Sequence, residues 1–467
     1  MTPTENTSPA HTDQAEQQLE RGLSNRHIQL IAIGGAIGTG LFMGSGKTIS
    51  LAGPSIVLVY AIIGFFLFFL MRAMGELLLS NLQYKSFTDF CEDLLGPWAG
   101  FFIGWTYWFC WIVTGTADII AISNYMHFWF PDLSAWMPAI AFVGLLAVLN
   151  LVSVKMFGEM ESLFASIKIV AILSILVMAV FLVATGFTEP SGQKAMVANL
   201  WQHGGFFPKG FIGFFAGFQI ALFAFVGIEI IGTTAAETHD PYTTLPRAIN
   251  AVPIRIVFFY IFALMAIMII SPWNTIDPDM SPFVTIFMLV GIPAAAGVIN
   301  FVVLTAAASS ANSGIYSTCR MLYGLSLLGV APKTFARLNK NSVPANALLF
   351  SCICLLLCSA MLIIMPTIME AFTIMTTLAS ILFMFVWSLI LLSYLSYRRK
   401  YPERHATSTF KVPGGRVLVI LTQAFFLFVL ALLTLEKDTR DVLFIAPLWF
   451  GLLGVAYYFA RKRKMRS

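Results

Sequence analysis

The sequence predicts an all-α polytopic membrane protein of about twelve spanning helices, built as a five-plus-five inverted repeat with two helices added at the end. Three observations carry this expectation. Of 467 residues, 58% are hydrophobic and 11% charged, and the mean hydropathy is +0.83, far outside the range of a soluble chain. Apolar stretches of about 20 residues or more recur along almost the whole length, each enough to cross roughly 30 Å of hydrocarbon as a helix. A β-barrel would show short alternating segments instead. The third observation is that two of these stretches are interrupted in ways a continuous helix should avoid.

Taken in order, residues 1–24 are rich in Thr, Gln, Glu, Pro and Ala, with neither a basic start nor an apolar core. They read as a disordered cytoplasmic tail and not as a signal peptide. Turn signals then place spans near 27–50, 54–80, 97–129, 136–155, 159–186 and 210–236. A second series follows near 246–271, 293–327, 344–364, 368–396, 416–435 and 442–460. Pro54, Pro97, Pro246 and Pro344 sit where spans are expected to start, a position at which a missing N–H does no harm. Residues 25–396 form the ten-helix core, with repeats of about 25–186 and 210–396. Residues 397–467 hold a cytoplasmic loop, the last two helices and a basic cytoplasmic tail.

With both termini cytoplasmic, the outer loops carry only Lys47, Lys194, Lys209, Lys437 and Arg440, while RRK at 398–400 and RKRK at 461–464 lie inside. The positive-inside rule selects that orientation. The net charge of +5 is then explained by topology and the anionic lipid bilayer, and implies no nucleic-acid partner.

The first interruption is the run IAIGGAIGTGLFMGSG from Ile31, in which six of the thirteen residues from Gly34 to Gly46 are glycine. Each interior glycine costs a helix roughly 1 kcal/mol relative to alanine. The second lies in the sixth span at Phe223–Glu229, where a lone glycine precedes an acid. Two broken helices five spans apart, running in opposite directions, mark an inverted repeat and a midplane binding site.

A broken helix offers amide N–H groups at the start of its second half and unpaired carbonyls at the end of its first. An amino acid needs both. Its carboxylate suits the N–H groups around Thr39 and Gly40; its ammonium group suits carbonyls near Ala36 and Ile37 and, across the site, near Phe223, Ala224 and Val226. The competing explanation is close helix packing, since Gly34 and Gly38, and Gly40 and Gly44, have small-xxx-small spacing. Packing alone accounts for neither the glycine density nor the second break.

Lys168 and Glu229 are the charges expected deepest in the membrane, and intramembrane charges are functional by default. Arg72 and Glu76 fall near the cytoplasmic end of the second span, and Asp118 near the outer end of the third. Lys168, about three turns into the fifth span, is the candidate to gain and lose a proton, with a snorkelling or fixed structural lysine as the alternative. Glu229 either carries a proton, senses pH, or caps freed backbone N–H groups. Ser309, Ser310 and Asn312 offer oxygens for a sodium site, which competes with proton coupling. The aromatic residues Trp105, Tyr107, Trp108, Phe109 and Trp111 read as core or lipid surface.

The six cysteines suggest no disulfide framework, and Cys352, Cys354 and Cys358 read as apolar filling before a soft-metal site. No HExxH, nucleophile elbow or phosphate loop supports an enzyme. No cofactor is required, a proton serving as the coupling ion.

NRHIQLIAIGGAIGTGLFMGSG (25–46), FGEMESLFASIKIVAI (157–172) and FAFVGIEIIGTTAAET (223–238) resemble the amino acid permeases of the amino acid-polyamine-organocation superfamily. KTISLAGPS (47–55), MRAMGELLLSN (71–81), LTAAASSANSGIYST (304–318) and PLWF (447–450) resemble most closely the bacterial permeases that carry D-serine, D-alanine and glycine. The resemblance implies a leucine-transporter-like fold, a bacterial inner-membrane location and proton symport of small neutral amino acids by alternating access. The implied substrates are glycine, D-alanine, D-serine and L-alanine, with D-cycloserine as an adventitious one. The family's unwound motifs carry over onto Ile37, Gly38, Thr39 and Gly40 and onto Phe223–Glu229, and its lysine onto Lys168. A sodium symporter or exchanger of another amino acid, and a non-transporting amino-acid sensor, are the alternatives. Against the sensor stands the short run after Ala460, which leaves no room for a signalling domain.

Overall fold

Proline, glycine and side-chain caps set most of the helix ends. In the computed structural model the described residues are 37–464, apart from 85, 153, 191, 234–239 and 292. The expected tail at 1–24, the start of the first span with Gly34, Gly35 and Ala36, and residues 465–467 lie outside them.

Pro97 occupies the first turn of the third span (Pro97–His127), behind Gly96, whose φ of 104° lets the chain enter at that angle. Pro344 caps the ninth span, which runs Ala345–Ser359 and continues as Met361–Ile364. Thr367 caps the tenth (Ile368–Lys400) by accepting from Glu370 N at 3.1 Å. The seventh span corrects the expectation for Pro246. It begins five residues earlier, at Pro241 behind Asp240, and Pro246 and Pro253 lie inside the helix Pro241–Ile270. Pro241 already supplies the N-terminal proline, and the later rings each remove only one backbone bond from a long helix.

Nine helical stretches among the described residues are long and apolar enough to cross a membrane. One of them, Gly44–Ser80, contains the second half of the first span, a 3-10 turn at Gly53–Ser55 and the second span (Ile56–Ser80). The fourth (Trp136–Val152) is shorter, and the third dilutes its apolar residues with Trp, Tyr, Thr and Gly. The fifth (Val154–Thr185), eighth (Pro293–Leu327), eleventh (Gly415–Leu432) and twelfth (Lys437–Lys464) follow the expected positions. Among the described residues, two helices of eight residues or more lie outside the expected spans. Phe87–Leu95 is held by a capping box between Ser86 and Asp89, and Pro282–Leu289 lies between the seventh and eighth spans.

The third span packs most extensively on the eighth and tenth, and the second on the seventh. Adding five to each span number relates further pairs: third on tenth to eighth on fifth, second on tenth to seventh on fifth, and third on ninth to eighth on fourth. This is the packing that a five-plus-five repeat produces. The eleventh span lies against the second and tenth, and the twelfth against the tenth and third, where Phe109 stacks on Trp449 at 4.1 Å. Most of the twelfth span's surface is exposed, so this pair flanks the ten-helix core.

Candidate functional site

Both interruptions lie where the sequence expects them, and they touch. Gly38 is extended, with φ −133° and ψ −154°, and caps a single turn Thr39–Phe42; Met43 interrupts before the helix resumes at Gly44. The N–H groups of Thr39 and Gly40 therefore sit in a first turn, where a helix has no acceptor of its own. In the sixth span, short helices Gly210–Ala216 and Phe218–Ala221 lead to a 3-10 turn at Phe223–Phe225. Val226 is then extended, Gly227 takes a φ of 99°, and helix restarts at Ile230. A Cβ on Gly40 would lie 2.6 Å from Ala224 Cα and 2.9 Å from Ala224 N, so glycine is what lets the two main chains meet. On the far side of the second break, Tyr260 donates to the Ala224 carbonyl at 2.6 Å.

Each break has an acid. Glu229, fully buried, accepts from Gly227 N at 3.2 Å and from Tyr107 Oη at 3.3 Å. It thus caps the turn immediately before it. The first break borrows its acid from the third span: Thr39 Oγ1 donates to Asp118 Oδ1 at 2.7 Å. Asp118 is buried, and its Oδ2 has no hydrogen-bond partner among the described residues. Asp118 lies nine residues before the end of the third span (Pro97–His127), and its bond from Thr39 brings it to the first break, a contact that its place along the span does not reveal.

Lys168, also fully buried, donates to Ser309 Oγ at 3.1 Å. Ser309 Oγ in turn donates to both oxygens of Glu161, at 2.9 Å each. The next residue, Ser310, lies beside the first break, since a Cβ on Gly38 would be 3.4 Å from Ser310 Oγ. Asn312, the third member of the alternative sodium set, accepts from Asn150 of the fourth span at 2.7 Å. A fifth span beginning at 159 leaves Glu161 in its first turn, where a carboxylate attracts no notice. The helix starts at Val154, which puts Glu161 two turns inside it and on the face of Lys168, seven residues on. That spacing was the available signal.

Of the aromatic residues, Trp108 Nε1 donates to Ser351 at 3.1 Å and Trp105 Nε1 to the Val330 carbonyl at 3.3 Å, as packing residues do. Trp111 lies over Gly314 and meets Phe383 edge-on. Tyr107 is the exception, because it reaches Glu229. Arg72 and Glu76 stand apart from the breaks. Arg72 donates to Asn250 and to the Lys411 carbonyl; Glu76 accepts from Tyr394 Oη at 3.1 Å and Val412 N at 2.9 Å and meets His405 Nδ1 at 2.5 Å. Both hold the segment after the tenth span.

The amino acid permease family model matches residues 27–467. The chain belongs to the amino acid permeases. It is 64% identical over 450 residues to the D-serine/D-alanine/glycine transporter of Escherichia coli K12, covering 96% of each chain. The amino-acid permease AapA of Bacillus subtilis is 49% identical, again over 96% of each. The DL-alanine permease SerP2 of Lactococcus lactis is 42% identical over 98% of this permease and 99% of its own length. Permeases move their substrates without transforming them, so this permease is a multi-pass amino acid transporter and not an enzyme.

Proposed function

We propose that this permease imports glycine, D-alanine and D-serine, with L-alanine and D-cycloserine as further substrates, together with a proton and by alternating access. The observation that carries the reading is the main-chain meeting of the two breaks at Gly40 and Ala224, next to the buried group of Lys168, Ser309 and Glu161. Thr39 and Gly40 take the substrate carboxylate. Carbonyls at Ile37, Phe223 and Val226, with Ala36 before them, take its ammonium group; Ala224, whose carbonyl is held by Tyr260, supplies the contact with Gly40, and Gly38 leaves room for the approach.

A site built from main chain reads the groups on the α-carbon and is indifferent to hand where the side-chain space is small. The names of the E. coli and L. lactis relatives, which include D-serine, D-alanine, glycine and DL-alanine, support small substrates of either hand. The distribution of basic residues supports an inner membrane with both termini in the cytoplasm.

Lys168 is the proton carrier in this reading. Several ionisable groups in one buried cluster can hold a variable number of protons, and Lys168 has Ser309 as a direct partner. Glu229 keeps the second break in shape through Gly227, which supports the capping role over a second proton site.

The test is uptake of labelled glycine and D-alanine into proteoliposomes under an imposed proton gradient, an imposed sodium gradient, or neither. Accumulation is expected with the proton gradient. Accumulation with sodium alone would overturn the role of Lys168. Lys168→Ala is expected to abolish proton-driven accumulation while leaving substrate exchange measurable, and wild-type accumulation by this variant would refute it.

A further inference from the structure

We infer that Glu161 receives the coupling proton from Lys168 through the hydroxyl of Ser309, and so forms the exit from the buried site toward the cytoplasm. The inference rests on the reading that Lys168 carries that proton.

The geometry is that of a directed chain. Lys168 Nζ donates to Ser309 Oγ at 3.1 Å, and the same oxygen donates onward to Glu161 Oε1 and Oε2, both at 2.9 Å. A hydroxyl that accepts on one side and donates on the other is a relay. In the step, an N–H bond of the Lys168 ammonium breaks as that proton joins Ser309 Oγ, and the proton originally on Ser309 Oγ passes to the Glu161 carboxylate. The products are a neutral amine, a serine hydroxyl whose O–H now points to that amine and must rotate before the next transfer, and a carboxylic acid; no electrons change hands. The acid gives its proton to water when the site opens inward.

Position supplies the direction. Glu161 lies seven residues before Lys168 on the same helix, about 10 Å nearer the end that the basic residues assign to the cytoplasm. Lys168 therefore stands between two buried carboxylates. Asp118 is tied to the first break through Thr39, and Glu161 takes the Ser309 hydroxyl, with Ser313 also beside it. The bridging hydroxyl comes from the eighth span while both termini of the relay are on the fifth. Relative movement of these two helices would break the chain, so proton release is tied to the conformational cycle without a separate gate.

A fixed counter-charge for Lys168 is the plain structural alternative, and coupling separates the two. Wild type, Glu161→Gln, Ser309→Ala and Ser309→Thr are reconstituted in proteoliposomes with a trapped pH dye. Three readouts are taken: proton-driven glycine accumulation, glycine-induced internal acidification, and glycine counterflow without a gradient. Glu161→Gln and Ser309→Ala are expected to lose accumulation and acidification by about tenfold or more, with counterflow reduced by less than about threefold; Ser309→Thr, which keeps the hydroxyl, is expected to restore both. Accumulation and acidification near wild type in either Glu161→Gln or Ser309→Ala would overturn the relay, as would equal loss of counterflow and coupling in folded protein. If Glu161→Gln fails to fold, the Ser309 pair decides alone. Wild type driven by sodium and not by protons would instead defeat the underlying reading of Lys168.

Discussion

The two breaks solve one physical problem in different ways. The second carries its own acid, since Glu229 reaches back two residues to the Gly227 N–H. The first has no acid in its own segment and depends on Asp118 from the third span, reached through Thr39. A turn capped from within keeps its shape as neighbours move. One capped from another helix senses the position of that helix. In the proposed alternating-access cycle the first break is thus the one whose geometry would follow the movement, and Ser310 beside it adjoins Ser309, the partner of Lys168.

The contact between the breaks gives the harshest way to challenge this comparison. Gly40→Leu puts a side chain where even a Cβ would be 2.6 Å from backbone, and overpacking of this kind costs about 3 kcal/mol or more. Glycine binding to purified protein is expected to vanish. By contrast, Gly38→Ala meets only Ser310 at an ordinary distance, so it is expected to fold as wild type and to weaken glycine binding through the room its Cβ takes; unchanged binding would remove Gly38 from the site.

The next largest effect concerns the internal cap. Glu229→Ala leaves the buried Gly227 N–H without its acceptor and should cost about 2 kcal/mol of stability, read as a lower thermal unfolding temperature in detergent. Glu229→Gln keeps an acceptor oxygen and should recover most of that loss together with proton-driven uptake. Recovery of stability without recovery of accumulation would return Glu229 to the coupling machinery.

Removing the borrowed acid should act on binding more than on stability. Thr39→Val deletes a hydrogen bond to a carboxylate, about 1.5 kcal/mol, and is expected to raise the glycine KM about tenfold. An unchanged KM would mean that the first break holds its shape unaided. Tyr107→Phe should have the smallest effect, about 0.5 kcal/mol in the same melting assay, because its bond to Glu229 is long at 3.3 Å and Gly227 still anchors the acid.

What could be read from the sequence was whatever depends on local backbone chemistry. The glycine run and the pairing of Gly227 with Glu229 located both breaks, because glycine density and an acid next to a lone glycine leave a mark within a few residues. Lys168 was legible as a charge deep in an apolar run. Asp118, Glu161 and Tyr107 were not, since their importance depends on which helix faces which. The early start at Pro241 and the short helix Phe87–Leu95 escaped for a related reason: both lie at the ends of spans, where hydropathy fades and caps take over.

The contact of Gly40 with Ala224 has a consequence for how substrate range can diverge among permeases of this kind. Where two main chains lie against each other, the closest atoms are backbone that cannot be enlarged or trimmed by degrees, so a side chain added at Gly40 removes the site instead of retuning it. Gradual change has to be written into the surrounding ring of side chains. The point of contact is inherited whole or lost, and the capacity to hold an α-amino acid is passed on apart from any choice of which one.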